Sequence, residues 1–377
     1  MAERRNFYFR RSQSNLGILQ INMDIFPELW EISQHQRPLV VETIRAPIPL
    51  SRLPQIISRC IQNREKLGWS AIAESLRQSK VKALLGIDSP QLALQKISLY
   101  VPEVKQLIVS HGSLRSDNLK KNFDFLRSPM VGQKLFVWGE HDGQLVAEHF
   151  GEHVQCVAVG SLRNAMYHRH RGQEQTPPQR HELLFVSKFA GSREFGMQAG
   201  AHRPRVLAKL KQYLRQYCLQ FGVPLHIAMR PRNSGDLEPG QWENEKAHYR
   251  EVFNGVEVTF TDPAVRYSTY AASDCSDVTV GVPSGSLTES FGRGNKVLMF
   301  GQSNSTGDYL GFPYEGPWLV EEPTYEVFSS ALSHIRHLST EQFRLDAGDV
   351  PKKMLANADS DLAALKIKEA VDTAIAE

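Results

Sequence analysis

A chain of 377 residues exceeds one ordinary hydrophobic core and predicts two domains of about 150 residues each. Hydrophobic residues make up 41% and charged residues 23%, which excludes a disordered or collagen-like chain and fits a globular one. The formal net charge of +3, with no stripe of Lys and Arg interleaved with aromatics, argues against a nucleic-acid partner and leaves room only for contact with an anionic ligand or lipid surface.

Residues 16–25 (LGILQINMDI) and 38–44 (PLVVETI) are strand candidates, and 49–68 and 70–79 read as helices. From residue 80 the pattern becomes regular. KVKALLGID (80–88) predicts a buried strand ending at Asp88, and the following SPQLALQKISLYVP predicts a helix capped by Ser89 with Pro90 in its first turn. KQLIVSHG (105–112), KLFVWGE (134–140) and VQCVAVGS (154–161) are three more strands, so this half reads as a parallel sheet with crossover helices. The segment 163–181 turns polar and basic, carries Pro177 and Pro178, and lacks apolar periodicity; it reads as a linker. Its three histidines match no metal-ligand spacing, and Glu174 is its only carboxylate.

A second alternating unit follows. ELLFVSKF (182–189) is a strand. The stretch 204–222 is an amphipathic helix with Val206, Leu210, Leu214, Tyr217 and Cys218 on one stripe, Arg205, Lys209, Gln212 and Gln216 opposite, and Gly222 as its stop. PLHIAMRPR (224–232), GVEVTFTD (255–262), DVTVGV (277–282), KVLMFG (296–301) and PWLVEE (317–322) are strands. Short helices are expected at Tyr270–Ser273 and over TESFGRG, and two longer ones over 325–338 and 361–377. The expected organisation is an N-terminal Rossmann-like domain over 1–165, a linker over 166–181, a C-terminal Rossmann-like domain over 182–335, and C-terminal helices over 336–377.

Ligands of such α/β sheets bind outside the carboxyl ends of the strands. The residues there are Asp88, Ser110–His111–Gly112, Gly139–Glu140, Gly160–Ser161, Ser187–Lys188, Arg230 to Arg232, and the run Ser284, Gly285, Ser286, Leu287, Thr288, Glu289. In that run a strand passes into a hydroxyl-rich turn and a helix start, which aims backbone N–H groups and the positive end of a helix dipole at one point. That suits a phosphate, and a carboxylate in the first helical turn, Glu289, suits the two hydroxyls of a ribose. An ordinary cap explains the same residues, with Ser286 as N-cap and Glu289 closing a capping box. Glu140–His141–Asp142 resembles a small acid–base cluster, but such a run after a strand is more often a loop.

The segment SDVTVGVPSGSLTESFGRGNKVLMF resembles the donor-binding part of GT-B glycosyltransferases: an apolar strand, a serine-rich turn, a glutamate, an Arg-Gly helix end (Arg293–Gly294) and a second apolar strand. VKALLGID, LIVSHG, LFVWGE and VQCVAVGS, in that order, are similar to the first domain of the bacterial surface-carbohydrate (capsule and O-antigen) branch of that group, related in layout to capsule Kdo transferases and CDP-glycerol glycerophosphotransferases. The likeness spans roughly residues 80–300. The second hydroxyl often found beside the first serine is Gly285 here, and MRPR (229–232) stands where the Kdo enzymes carry a His-Pro pair.

The resemblance implies an α/β protein of two Rossmann-like domains facing a cleft (GT-B). Its activity would move a sugar from a nucleotide-sugar donor to a hydroxyl of a surface-polysaccharide or glycolipid acceptor, with no metal and no cofactor. The alternatives are a nucleotide-sugar epimerase or hydrolase of the same fold, or a non-catalytic polysaccharide-assembly protein. Ser284, Gly285, Ser286, Thr288 and Glu289 would hold the donor. Lys188, Arg230 and Arg232 would stabilise charge on the leaving phosphate. His111 and Asp88, at strand ends of the first half, are the candidates to take the acceptor proton. Four scattered cysteines without a CxxC pair fit a reducing compartment, and no apolar run of about 18 residues is present. The expectation is a cytoplasmic protein, with peripheral contact at the inner membrane as its furthest extension.

Overall fold

The computed structural model describes residues 16–20, 27–42, 54, 57–58, 67–87, 100–114, 133–151, 154–171, 180–187, 202–229, 240–301, 313–321 and 323–377. Most of the helix expected over 89–102 lies outside these residues, as do Asp88 before it, most of the helix expected over 49–68 and the site candidates Lys188, Arg230 and Arg232. The chain divides into two units, one of residues 1–166 with 361–377, the other of residues 167–360.

In the first unit β1 (Leu16–Gln20), α1 (Pro27–Ser33), β2 (Leu39–Glu42), α2 (Leu67–Gln78), β3 (Ala83–Ile87), β4 (Lys105–Val109), β5 (Gln133–Val137), α3 (Glu140–Phe150) and β6 (Gln155–Ala158) follow one another. The strands form one parallel sheet in the order β2-β1-β3-β4-β5-β6. Near-continuous burial of β3 and β4 reflects a parallel sheet covered on both faces, which is why they read as apolar runs rather than alternating ones. The order reverses between β1 and β3, so the switch point of this sheet lies at their carboxyl ends, and Asp88 directly follows β3.

Residues 163–171, read above as the opening of a linker, instead belong to α4 (Leu162–Arg171). The Ser161 hydroxyl accepts from Asn164 N at 3.2 Å and starts the helix. Leu162, Ala165 and Met166 are buried, an i, i+3, i+4 stripe too short to stand out among polar neighbours. His168, Arg169, His170 and Arg171 fall in the last turn, where positive groups suit the helix dipole. The boundary between the two units falls within this helix, between Met166 and Tyr167.

The second unit contains β7 (His181–Val186), α5 (His202–Phe221), β8 (Leu225–Ala228), α6 (Gln241–Val252), β9 (Val258–Phe260), α7 (Ser268–Asp274), β10 (Ser276–Gly281), α8 (Gly285–Gly292), β11 (Val297–Gly301), β12 (Leu319–Glu321), α9 (Tyr325–His337), α10 (Thr340–Ala347) and α11 (Val350–Met354). Its parallel sheet runs β12-β11-β10-β7-β8-β9. Counted from β7 this is the strand order 6-5-4-1-2-3, the doubly wound arrangement of dinucleotide-binding folds. Leu210, Leu214, Tyr217 and Cys218 of α5 are buried as their spacing predicts, and Gly222 ends the helix with φ +65°.

The last helix, α12 (Leu362–Ala376), packs on α1, β3 and β4 of the first unit rather than on the helices that precede it. Asp372 accepts from Gln36 Nε2 at 2.8 Å and lies 2.9 Å from His35 Nε2, and Lys82 Nζ donates to the Ile375 carbonyl at 2.8 Å. The helices grouped above as 336–377 therefore separate: α10 and α11 stay with the second unit and α12 returns to the first.

Candidate functional site

The sheet of the second unit reverses direction between β7 and β10, which are paired in parallel from Ser276↔His181 to Val280↔Phe185. Their carboxyl ends are therefore its switch point. β10 ends at Gly281, where a Cβ would stand 2.8 Å from Leu287 Cδ1 and 3.5 Å from Val186, so only glycine lets α8 fold back this closely. The chain turns through Val282 and Pro283 into Ser284, whose extended backbone (φ −158°, ψ 162°) makes it the N-cap; its hydroxyl accepts from Leu287 N at 3.4 Å. Leu287 and Phe291 are fully buried, and Phe291 packs on Trp318 and Phe343, which fixes the helix axis.

Two expectations change here. Ser284, not Ser286, caps the helix, because β10 ends at Gly281 and the helix already begins at Gly285. Glu289 is then the fifth helical residue and no capping box forms. It also does not lie in the first turn. Gly285 is exposed and Ser284 and Ser286 are half-buried, whereas Thr288 and Glu289 are buried, Glu289 at 3% exposure. The Tyr270 hydroxyl donates to Glu289 Oε2 at 2.7 Å.

Behind this turn lies a hub that the sequence did not announce. Asp274 Oδ1 accepts from Arg293 Nε and Asn295 Nδ2, both at 2.7 Å, and Oδ2 accepts from Tyr167 at 2.8 Å and Arg171 Nη1 at 3.3 Å. Burial pushes the Asp274 carboxyl up, but Arg293, Asn295 and Tyr167 together hold it below the ordinary range. Burial and the adjacent Asp274 charge raise the Tyr167 phenol. The Arg293 guanidinium stands 5.1 Å from the Tyr270 ring centre and 5.4 Å from that of Tyr167. The Arg-Gly pair singled out in the sequence is thus structural: Arg293 ties α7, α8 and α4 together, and Gly294 (φ +78°) turns the chain towards β11.

At the end of β7, the Ser187 hydroxyl donates to the Glu245 carboxylate and lies 2.8 Å from the Tyr249 hydroxyl, just before Lys188. At the end of β8, Met229 N donates to Thr261 Oγ1 at 2.8 Å, just before Arg230.

In the first unit His111 is exposed in the turn after β4. That turn is fastened from several sides. Ser110 Oγ donates to the Gly112 carbonyl at 2.6 Å and Trp138 Nε1 donates to the Ser110 carbonyl at 3.2 Å. Asp142, fully buried, accepts from Ser113 Oγ at 3.0 Å, Leu114 N at 2.9 Å and Trp138 N at 3.2 Å. Glu140–His141–Asp142 is therefore neither a loop nor an acid–base cluster: it opens α3, and Asp142 is the buried clamp of the His111 turn. Burial lowers the His141 imidazole despite Glu148.

The three histidines of the basic segment do not converge. His168 Nε2 lies 2.8 Å from the Ala358 carbonyl, His170 stacks on Tyr267, and His181 stacks on His226 with ring centres 3.6 Å apart. Among the described residues no group of three or more His, Cys, Asp and Glu side chains is placed to hold a metal ion, and no helix is long and apolar enough to cross a membrane.

No protein-family model matches the sequence, nor does any curated protein. Solved structures do share its fold. The UDP-GlcNAc 2-epimerase of Neisseria meningitidis, bound to UDP-GlcNAc, matches with a TM-score of 0.52 and 12% identity over 95% of this chain and 91% of that one. The UDP-GlcNAc 2-epimerase of Methanocaldococcus jannaschii, in complex with UDP-GlcNAc and UDP, matches at 0.51 and 10% over 93% and 98%. The sucrose-phosphate synthase of Thermosynechococcus elongatus matches at 0.51 and 11% over 96% and 99%. At these identities the likeness is one of fold: the chain is an α/β protein of two Rossmann-like units, the GT-B fold.

Proposed function

We propose that this chain is a sugar-nucleotide enzyme that grips its donor where β10 passes into α8 and transfers the sugar to a hydroxyl of a surface-polysaccharide or glycolipid acceptor. One observation carries the reading: the hydroxyl-rich turn from Ser284 to Ser286 lies at the switch point of a sheet with dinucleotide-fold order, at the start of a helix. The first backbone N–H groups of α8 would take the donor phosphates, with Ser284, Gly285, Ser286 and Thr288 around them. Glu289 is buried and accepts from Tyr270, so a ribose hydroxyl would share that carboxylate with the phenol.

Departure of a nucleoside phosphate builds negative charge on its oxygens. The helix start, with Lys188, Arg230 and Arg232, would offset it. His111, held at the end of β4 by the Asp142 clamp, would accept the acceptor proton, with Asp88 after β3 as the other candidate.

A second reading has a specific support. UDP-GlcNAc 2-epimerases stand among the structures sharing the fold, and an epimerase would use the same donor grip with no acceptor. Incubation with a panel of nucleotide sugars, with and without a polyprenyl or oligosaccharide acceptor and followed by NMR, separates them. Acceptor-dependent release of the nucleotide supports transfer; an epimer formed without acceptor supports the second reading; no binding of any nucleotide refutes both.

A further inference from the structure

A cavity of about 570 Å³ opens at the amino ends of the strands of the second unit's sheet, where β7, β10 and β11 begin. Arg180, Lys296, Arg336 and Arg344 line it, against two carboxylates, Asp274 and Asp277. Four cations less two carboxylates leave a surplus of two positive charges. Both carboxylates are already engaged. Arg180 donates twice to Asp277 Oδ1, at 2.7 and 3.1 Å, and Asp274 is held by Arg293, which is not part of the lining.

Two of the four cations, Lys296 and Arg344, are held in place by bonds that do not neutralise them. Lys296 Nζ donates to the carbonyls of Arg336 and Leu338 at 2.9 and 2.8 Å, closing the end of α9. Arg344 uses only Nε, on the Gly294 carbonyl at 3.1 Å; its two terminal nitrogens have no partner among the described residues. The other two are ion-paired, Arg180 with Asp277 and Arg336 with Glu182, which accepts from its Nη2 at 2.7 Å. The eight-residue helix α10 also starts at this cavity. Ser339 Oγ takes the Gln342 amide, leaving the Thr340 and Glu341 amides at the positive end of the dipole, with the Glu341 carboxylate as a partial counterweight.

We propose that this cavity is a second anion site, distinct from the switch point, that takes a small phosphate-bearing anion between Arg344, Lys296 and the start of α10. Carbonyl-fixed ammonium and guanidinium groups on separate elements, surrounding a volume large enough for a diphosphate, are the chemistry that recognises such a ligand. Lys296 carries an independent sign of the uncompensated field. Burial lowers its ammonium first, Asp277 opposes this, and Arg336 and Arg180 push it down further. An anion at this place relieves that repulsion. Because the cavity sits at the amino ends of the strands, it lies at the sheet edge away from the donor grip, so the two sites can fill independently.

The test is calorimetric titration at fixed ionic strength, with inorganic pyrophosphate in one arm and UDP in the other. The proteins are the parent, Arg344→Glu, Arg180→Ala, and Gly285→Asp at the start of α8. Arg344 is exposed and its one side-chain bond is to a carbonyl, so its replacement should leave the melting temperature near the parent's. The expected result is pyrophosphate binding weakened at least about tenfold by Arg344→Glu, less by Arg180→Ala, and by under about twofold by Gly285→Asp. UDP binding that follows Arg344→Glu as well identifies the occupant as a nucleoside diphosphate; UDP binding sensitive only to Gly285→Asp identifies a free anion. Pyrophosphate binding lost only in Gly285→Asp, lost equally in all variants, or absent from the parent overturns the second site.

Discussion

Replacing Asp274 by alanine is the sharpest perturbation of the second unit. Its side chain is 9% exposed and that of Arg293 is 4% exposed, so the pair is buried. Removal of the carboxylate takes from the Arg293 guanidinium its 2.7 Å ion-pair partner, takes from Tyr167 its acceptor, and leaves Asn295 Nδ2 only the longer bond to Ser290 Oγ at 3.4 Å. Breaking one side of such a pair costs about 3–5 kcal/mol. The rings of Tyr270 and Tyr167 recover about 1 kcal/mol by facing the cation, so a loss of about 3 kcal/mol is expected. Urea unfolding monitored by fluorescence would measure it, with Arg293→Met and the double variant completing the cycle. The double variant should cost less than the sum of the singles by about 2 kcal/mol. The pH dependence has a definite sign. The folded carboxyl is depressed, so its contribution is present above the unfolded pKa of about 3.9 and is lost as pH falls through the lower folded value. A loss below about 1 kcal/mol for Asp274→Ala, or strict additivity, would show that the hub does not hold α4, α7 and α8 together.

Three further outcomes follow from local geometry. His226, stacked on His181 and 2.7 Å from Thr259 Oγ1, is lowered to about 4 by burial and then by its neighbour's charge; the unfolded chain therefore takes up the proton first, and stability should decline from pH about 6.5 and level off near 4, by about 2 kcal/mol after allowance for solvent screening, with His226→Gln flattening the profile. Asp142→Ala leaves Leu114 N and Trp138 N without their acceptor and should cost about 3 kcal/mol in thermal or urea unfolding, while lowering turnover far more than donor affinity because the His111 turn is released. Gly292→Ala places a Cβ 2.5 Å from Leu355 Cδ2 and 2.6 Å from its Cβ, which should lower the unfolding midpoint by an amount equivalent to about 1–3 kcal/mol.

Much of the architecture was legible because parallel strands buried on both faces write themselves as short apolar runs, as in ALLGI (83–87) and VLMFG (297–301). Helix α5 was legible from its apolar stripe. Helix α4 was not, since its buried apolar positions amount to Leu162, Ala165, Met166 and Tyr167 and its polar end resembles a linker. Helix α12 could be read as a helix but not assigned to its unit. That choice rests on contacts such as Asp372 with Gln36, separated by 336 residues. In the candidate site, two serines two positions apart both qualify as caps. Only the point where β10 stops selects Ser284, and that choice moves Glu289 from the first turn into the interior. The roles of Asp142 and Asp274 depend on partners far apart in the chain, which no local spacing records; Asp142 stood out in the sequence only as a member of Glu140–His141–Asp142.

The proposed donor grip is the turn at Ser284. The most direct measurement is the affinity of the intact chain for UDP, GDP, CDP, CMP and ADP, repeated with Glu289→Ala and Gly285→Asp. One nucleotide should bind the parent, Gly285→Asp should weaken it by at least about tenfold, and Glu289→Ala should weaken the ribonucleotide more than its 2′-deoxy counterpart. Unchanged affinity in both variants, or no nucleotide bound by the parent, would contradict that assignment.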